Sequence, residues 1–240
     1  NDSGRYYPYK EESKEIFLEF FEEPAGSERR EHPGIYHAEY LGPEAKRVQV
    51  ILLDTRTFRQ DLLYCGEGIA DCKNAYRINP SPDSTILGEE QWAWLETELQ
   101  KPAKLRIIAT SIQFGHEYNG WESWTNLPRE QQKMFDLIKS TKANGVVFIS
   151  GDVHWAEINK RQPDGHYPIY DITASGLTED WHNVEPSDFR IGEAYRDNHF
   201  GMIDIDWQAS PVTLQFQIIG LDGKTKFSHS VSLEELKFPK

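Results

Sequence analysis

The sharpest chemical signal is Gly151-Asp152-Val153-His154, at the end of the apolar run Val146-Val-Phe-Ile149. Asp152 and His154 are two residues apart, and in extended chain such side chains point to one side. A carboxylate oxygen and an imidazole nitrogen then meet at one point, as a metal-ligand pair requires. Gly151 lets the backbone turn tightly as it leaves the sheet. The competing reading is an Asp–His hydrogen-bonded pair capping a turn. Arg56 is a candidate anion clamp, because guanidinium matches phosphate bidentately; the alternative is a structural ion pair with Asp54 or another acid. His116 shares a loop with Tyr118, Trp121, Glu122 and Trp124. There it would be a proton donor or part of a substrate-contacting lid, or the loop simply anchors its aromatics on the core. His199, in Asn198-His199-Phe200-Gly201, opens a strand near an active-site edge, although strand-start histidines are more often structural. His32, His37, His166, His182 and His229 lie in polar surroundings and receive no role.

Three apolar runs position these groups. Val48–Leu53, Leu105–Ala109 and Val146–Ile149 read as buried strands. Between them, 88–100 places Trp92, Leu95 and Leu99 on one helical face and ends at Pro102. A second helix starts at Pro128 with the stripe Met134, Leu137, Ile138 and Thr141, and Asn144-Gly145 caps its end. Strand–helix–strand–helix–strand means parallel β-α-β units. Ligands bind at the carboxyl ends of such strands, which is where Asp54-Thr-Arg56, Ser111–Glu117 and Asp152–His154 fall. Upstream, Ile16, Phe17, Phe20 and Phe21 mark a helix over 10–21, and 25–45 reads as loop with a short edge strand. Residues 54–87 form a long loop. Tyr167–Thr173, Met202–Trp207, Val212–Ile219 and Phe227–Leu233 alternate apolar and polar residues, with a hairpin turn at Asp222-Gly223. They are expected to form a second, mixed or antiparallel sheet packed on the first.

The chain has 240 residues, long enough for a sizeable core, and is expected to be one domain over 1–240. Lys plus Arg number 26 and Asp plus Glu 39, for a net charge of −13. No basic patch offsets this, so nucleic acid is repelled, and a phosphorylated substrate needs a cation in the site. No apolar run spans a membrane. Cys65 and Cys72 make either a small disulfide loop in an oxidising compartment or two free thiols. The first residues show no initiator Met and no signal segment, and Asn1-Asp2-Ser3-Gly4 reads like the middle of a loop.

Taken in order, Val50-Ile-Leu-Leu-Asp54-Thr-Arg56, Gly88-Glu-Glu-Gln-Trp92-Ala-Trp94-Leu95, Glu122-Ser-Trp124 with Leu127-Pro128-Arg129-Glu130, and Ile149-Ser-Gly151-Asp152-Val-His154-Trp155-Ala-Glu157 closely resemble the alkaline phosphatase D-like (PhoD-like) metallophosphatases. Ile172-Thr-Ala-Ser175-Gly176-Leu177 and Asn198-His199-Phe200-Gly201 do too, and Asn1-Asp2 is similar to the tail of that family's Asp-Asp-His-Asp-Tyr-Gly-X-Asn-Asp stretch.

The resemblance implies an α/β, calcineurin-like fold, two mixed sheets sandwiched by helices, here incomplete at its N-terminal side. It implies a metal-dependent phosphoric ester hydrolase, of phosphodiesterase or alkaline phosphatase type. Cations polarise the ester and lower the pKa of the attacking water. It also implies export, in agreement with a Cys65–Cys72 disulfide. Asp152 and His154 match the places of two late metal ligands. Carboxylate-rich ligation favours calcium, manganese or iron over a thiolate-type zinc site, and two or more ions are expected. Arg56, His116 and His199 are the weaker candidates for phosphate contact or proton transfer. Ser111 to Gln113 stand where the superfamily has a ligand histidine. The family's early Gly-Asp-X-X-Tyr and Asp-Asp-His-Asp elements are absent, so the N-terminal portion of the same protein is expected as a partner, on a separate chain or removed upstream. A phospholipase-type or phosphotriester hydrolase, its apolar leaving group held by Tyr118, Trp121 and Trp124, and a non-catalytic fragment are the alternative readings.

Overall fold

In the computed structural model, residues 3–67, 69 and 72–239 are described. Asn1 and Asp2, at which one part of the resemblance ends, lie outside them. The long apolar runs form a mixed six-stranded sheet in the order β1-β2-β5-β6-β8-β7. Its strands are β1 (His37–Leu41), β2 (Val48–Leu52), β5 (Leu105–Ala109), β6 (Val146–Ser150), β7 (Ala156–Arg161) and β8 (Ile169–Ala174). β2, β5, β6 and β8 run parallel, while β1 and β7 are antiparallel edges. The expected long loop 54–87 carries a two-residue hairpin, β3 (Leu63–Tyr64) with β4 (Tyr76–Arg77), closed by the Cys65–Cys72 disulfide.

The helices α3 (Gly88–Gln100) and α4 (Pro128–Ser140) cover one face of this sheet. In register across the strands, Ile51, Ile108 and Phe148 point to that face and are fully buried. Phe148 stacks on Phe114, which meets Phe135 of α4. Two polar knots hold the helices, one on the Glu130 carboxylate and one on the Gln91 carboxamide. Glu130 accepts from the Trp92 indole, the Ile86 amide and the Thr85 hydroxyl. Gln91 both donates to and accepts from the backbone of Asp54.

The opposite face differs. Val50, Leu52, Ile107, Ala109, Ile149 and Ala174 are only half-buried and border a cleft of about 650 Å³. Gly201, Met202 and Ile203 of β9 (His199–Asp206) close one side of it. β9 pairs with β10 (Thr213–Gly220), and β10 with β11 (Thr225–Ser232), in an antiparallel three-stranded sheet. Both sheets contribute to a continuous hydrophobic core.

Two expectations need correction. The strand at 167–173 belongs to the first sheet, as β8 beside β6, and the unforeseen β7 lies outside it. Both strands bury polar side chains, Glu157, Asn159, Asp171 and Thr173, which mimic the alternation of a half-exposed strand. The helix at 10–21 forms as α1 (Lys10–Phe20), with α2 (Glu28–Glu31) after it. Its apolar stripe faces outward, however: Ile16, Phe20 and Phe21 are exposed and only Leu18 is buried.

Candidate active site

At the carboxyl end of β6 the chain does not continue extended. Asp152 has φ 78° and His154 φ 63°, two left-handed non-glycine residues in one short turn. Each such residue costs of order 1–3 kcal/mol and persists only where its surroundings hold it. The expectation that extended backbone brings the two side chains together is therefore wrong in its geometry, though both line one cleft. The turn is held from behind by β8. The His154 amide donates to Ser175 Oγ at 3.0 Å.

His199 holds the next residue. Its Nδ1 lies 2.7 Å from the Asp197 carbonyl, so Nδ1 carries the proton, and the Gly176 amide donates to Nε2. The His199 amide and the Asn198 side chain both donate to the Gly176 carbonyl. The ring is 2% exposed, and burial pushes its pKa down, against the opposing pull of the Asp197 carbonyl. His199 is thus a neutral strut beneath the turn, with both nitrogens occupied.

The cleft has a volume of about 320 Å³ and is lined by Tyr76, Trp121, Glu122, Asp152, Val153, His154, Trp155 and Trp181. Glu122, in its wall, pairs with Arg59 and with Arg56 Nη2 at 2.8 Å. Arg56 therefore stands beside the cleft but is engaged by a carboxylate, the alternative weighed for it, with Glu122 rather than Asp54 as partner. Asp54 instead shapes its own turn, accepting from the amides of Arg56, Thr57 and Ile35. His116 is fully buried, with Nδ1 on the Glu117 carbonyl and Nε2 3.5 Å from Glu157 Oε1. It is sealed against β7 with no face open to a substrate.

The aromatic loop divides in two. Trp124 is core, donating to Thr110 Oγ1, and Tyr118 is tied to the Tyr76 carbonyl. Trp121 alone of the three lines the cleft. Trp181, which no spacing in the sequence had marked, lines the same cleft. Gln113, where a ligand histidine was missing, is buried and donates to Glu157 and Thr173.

These residues do not close a metal centre by themselves. Among the described residues, no group of three or more His, Cys, Asp and Glu side chains could hold a metal ion. Asp152 and His154 are two donors of suitable type on one turn. The disulfide reading of the two cysteines holds. Among the described residues no helix is long and apolar enough to cross a membrane.

Comparison with known proteins agrees with the sequence. A protein from Bacillus subtilis (strain 168) described as alkaline phosphatase D is 32% identical over 116 residues, covering 44% of this chain and 19% of that protein. A solved structure titled "Structure of PhoD" superposes with a TM-score of 0.60 at 16% identity, over 97% of this chain and 49% of that one. The chain thus spans a fifth to a half of the length of these relatives. The family model described as PhoD-like phosphatase matches residues 9–189, which include Arg56, His116 and the whole Asp152–His154 turn but not His199. On that match, the chain belongs to the PhoD-like phosphatase family.

Proposed function

We propose that this chain is part of the catalytic domain of a metal-dependent phosphoric ester hydrolase, of phosphodiesterase or alkaline phosphatase type, with a calcineurin-like arrangement of two sheets between helices. The observation that carries the reading is the Asp152–His154 turn. Two strained residues with metal-ligating side chains lie at the carboxyl end of a parallel strand, in the wall of a cleft. In this reading Asp152 and His154 supply two ligands, and the others come from protein beyond these residues. Calcium, manganese, iron and zinc are the candidate metals. A chain of net charge −13 needs such cations to hold an anionic ester.

The chain's own residues prepare the site. His199 and Ser175 fix the turn that presents His154, and Arg56 and Arg59 neutralise Glu122 beside it. Arg56, with 37% of its side chain exposed, has room to reach a phosphoryl oxygen at the cost of its Glu122 contact. His116 acts only by securing the loop that carries Trp121.

The proposed partner, the N-terminal portion of the same protein, is supported by the half-open face of the first sheet. Parallel sheets are covered on both faces, yet Val50, Ile107 and Ile149 lie in an open cleft. The disulfide supports an exported protein.

The test is hydrolysis of bis-p-nitrophenyl phosphate by the protein in which this chain is joined to the portion its relatives carry beyond it. D152N and H154N are suitable variants, because Asn tolerates the left-handed backbone of both sites. Each is expected to lower kcat by ~100-fold or more with the fold retained. Unchanged kcat in both would overturn the reading.

A further inference from the structure

Four aromatic side chains and only three acidic or imidazole groups line the cleft at the Asp152–His154 turn. Tyr76 and Trp155 form its buried floor, at 4% and 2% exposure. Trp121 and Trp181 stand at its rim, 38% and 43% exposed. Large aromatics left in water at a cleft mouth give up burial that a ligand restores.

These rim indoles are fixed. The Trp121 N–H donates to Glu185 Oε1 at 3.1 Å, and the Trp181 N–H to the Asn183 carbonyl at 3.0 Å. Glu185 Oε1 also accepts from Asn74 Nδ2, which in turn donates to the Asn119 carbonyl. One carboxylate thus joins three segments: the disulfide hairpin, the Trp121 loop and the Trp181 loop. With their polar edges occupied, the two indoles have only their apolar surfaces to offer. In the floor, the Trp155 indole N–H is buried and finds no hydrogen-bond partner among the described residues, an uncommon state for a buried donor. The cleft therefore has apolar ring surface at its rim, an unsatisfied donor in its floor, and a carboxylate and an imidazole at one end.

We infer that this cleft is a subsite for a flat aromatic group esterified to phosphate, with the ring between Trp121 and Trp181 and the phosphate toward Asp152 and His154. The inference rests on the reading of that turn as the phosphoryl end of the site. A space of about 320 Å³ is at the small end of ligand pockets. It suits one ring system with its phosphate and not the two chains of a diacyl lipid. The preferred substrates are then aryl phosphate esters, not phospholipids.

The test is calorimetric binding of 2-naphthyl phosphate, 2-naphthol, inorganic phosphate and a short-chain diacyl phosphatidic acid. The proteins are the parent and the variants W121A/W181A, W121F/W181F and D152N. Both tryptophans are rim residues, and circular dichroism checks that each variant keeps the fold. The expected result is tighter binding of naphthyl phosphate than of inorganic phosphate. W121A/W181A lowers its affinity ~10-fold or more and that of naphthol alike, whereas W121F/W181F restores most of it. D152N leaves naphthol binding unchanged. Equal binding of naphthyl and inorganic phosphate, an unaffected W121A/W181A variant, or preference for the diacyl lipid would each overturn the inference. If D152N and H154N keep full hydrolytic activity while naphthol still needs the two tryptophans, the proposed function fails and the aromatic subsite stands.

Discussion

Gly176 and His199 are locked together beneath the Asp152–His154 turn, and an alanine at 176 tests that lock. A Cβ there would lie 2.3 Å from His199 Cε1, 2.5 Å from Nδ1 and 3.2 Å from the His154 carbonyl. Gly176 is not among the residues with positive φ, so the penalty is steric alone. The ring has nowhere to withdraw, being 2% exposed and held at both nitrogens. Overpacking costs about 1–3 kcal/mol, and the loss of at least one buried hydrogen bond adds about 1. G176A is therefore expected to cost about 2–4 kcal/mol in urea unfolding, with an unchanged m-value. H199A alone costs about 2–3 kcal/mol, by leaving a cavity and two unpaired backbone groups. In the H199A background the obstructing ring is gone, and the added methyl costs less than about 1 kcal/mol. The double-mutant cycle thus yields a coupling of about 2 kcal/mol. Additivity within about 0.5 kcal/mol would refute the account of His199 as the strut under this turn.

Two further outcomes follow from the same structure. His166, against the Phe135 carbonyl with Lys139 and Asp136 nearby, and His229, near Lys160 and Glu235, both have pKa values pushed below the usual 6.5 by burial. Below about pH 6.5 the unfolded chain takes up protons that the folded chain declines, so stability falls with falling pH; Asp171, raised by burial, works in the opposite sense. Urea midpoints between pH 7.5 and 5 should fall, and H166N/H229N should flatten the slope. The Cys65–Cys72 hairpin braces the Trp121 loop through Lys73 to the Tyr118 carbonyl and the Tyr76 amide to the Gly120 carbonyl. C65S/C72S removes a closed loop of sequence separation 7, worth about 2.4 kcal/mol by chain entropy, and should lower the melting temperature and expose 65–76 to protease.

What was legible in the sequence follows where burial is apolar and what was not follows where it is polar. β2, β5 and β6 are written as near-continuous apolar runs, broken by Gln49 and Arg106. Of the candidates at their carboxyl ends, Asp152 and His154 line the cleft and Arg56 stands beside it, whereas His116 after β5 is sealed away. β7 hides, and β8 is read as a strand of the wrong sheet, because Asp171 accepts the Phe114 and Gly115 amides, and Glu157 binds Gln113 and Arg190. Such residues look solvent-exposed until their partners are known. His116 misleads for the same reason: its burial depends on Glu157, far along the chain. The left-handed turn at Asp152–His154 carries no glycine at the two strained positions and so no local signal. Trp181 and Glu185 belong to the site only through the path of a long loop, which neither periodicity nor spacing specifies.

The central claim is that the Asp152–His154 turn is a donor pair of a metal centre completed by protein beyond this chain. The most direct measurement is intact mass with elemental analysis of the native, purified parent protein and its D152N/H154N variant. The account predicts a mass that includes the additional portion, with roughly two or more tightly held metal ions, reduced in the variant while its fold is unchanged. A native protein without stoichiometric metal, or a variant that keeps its full complement, would contradict it.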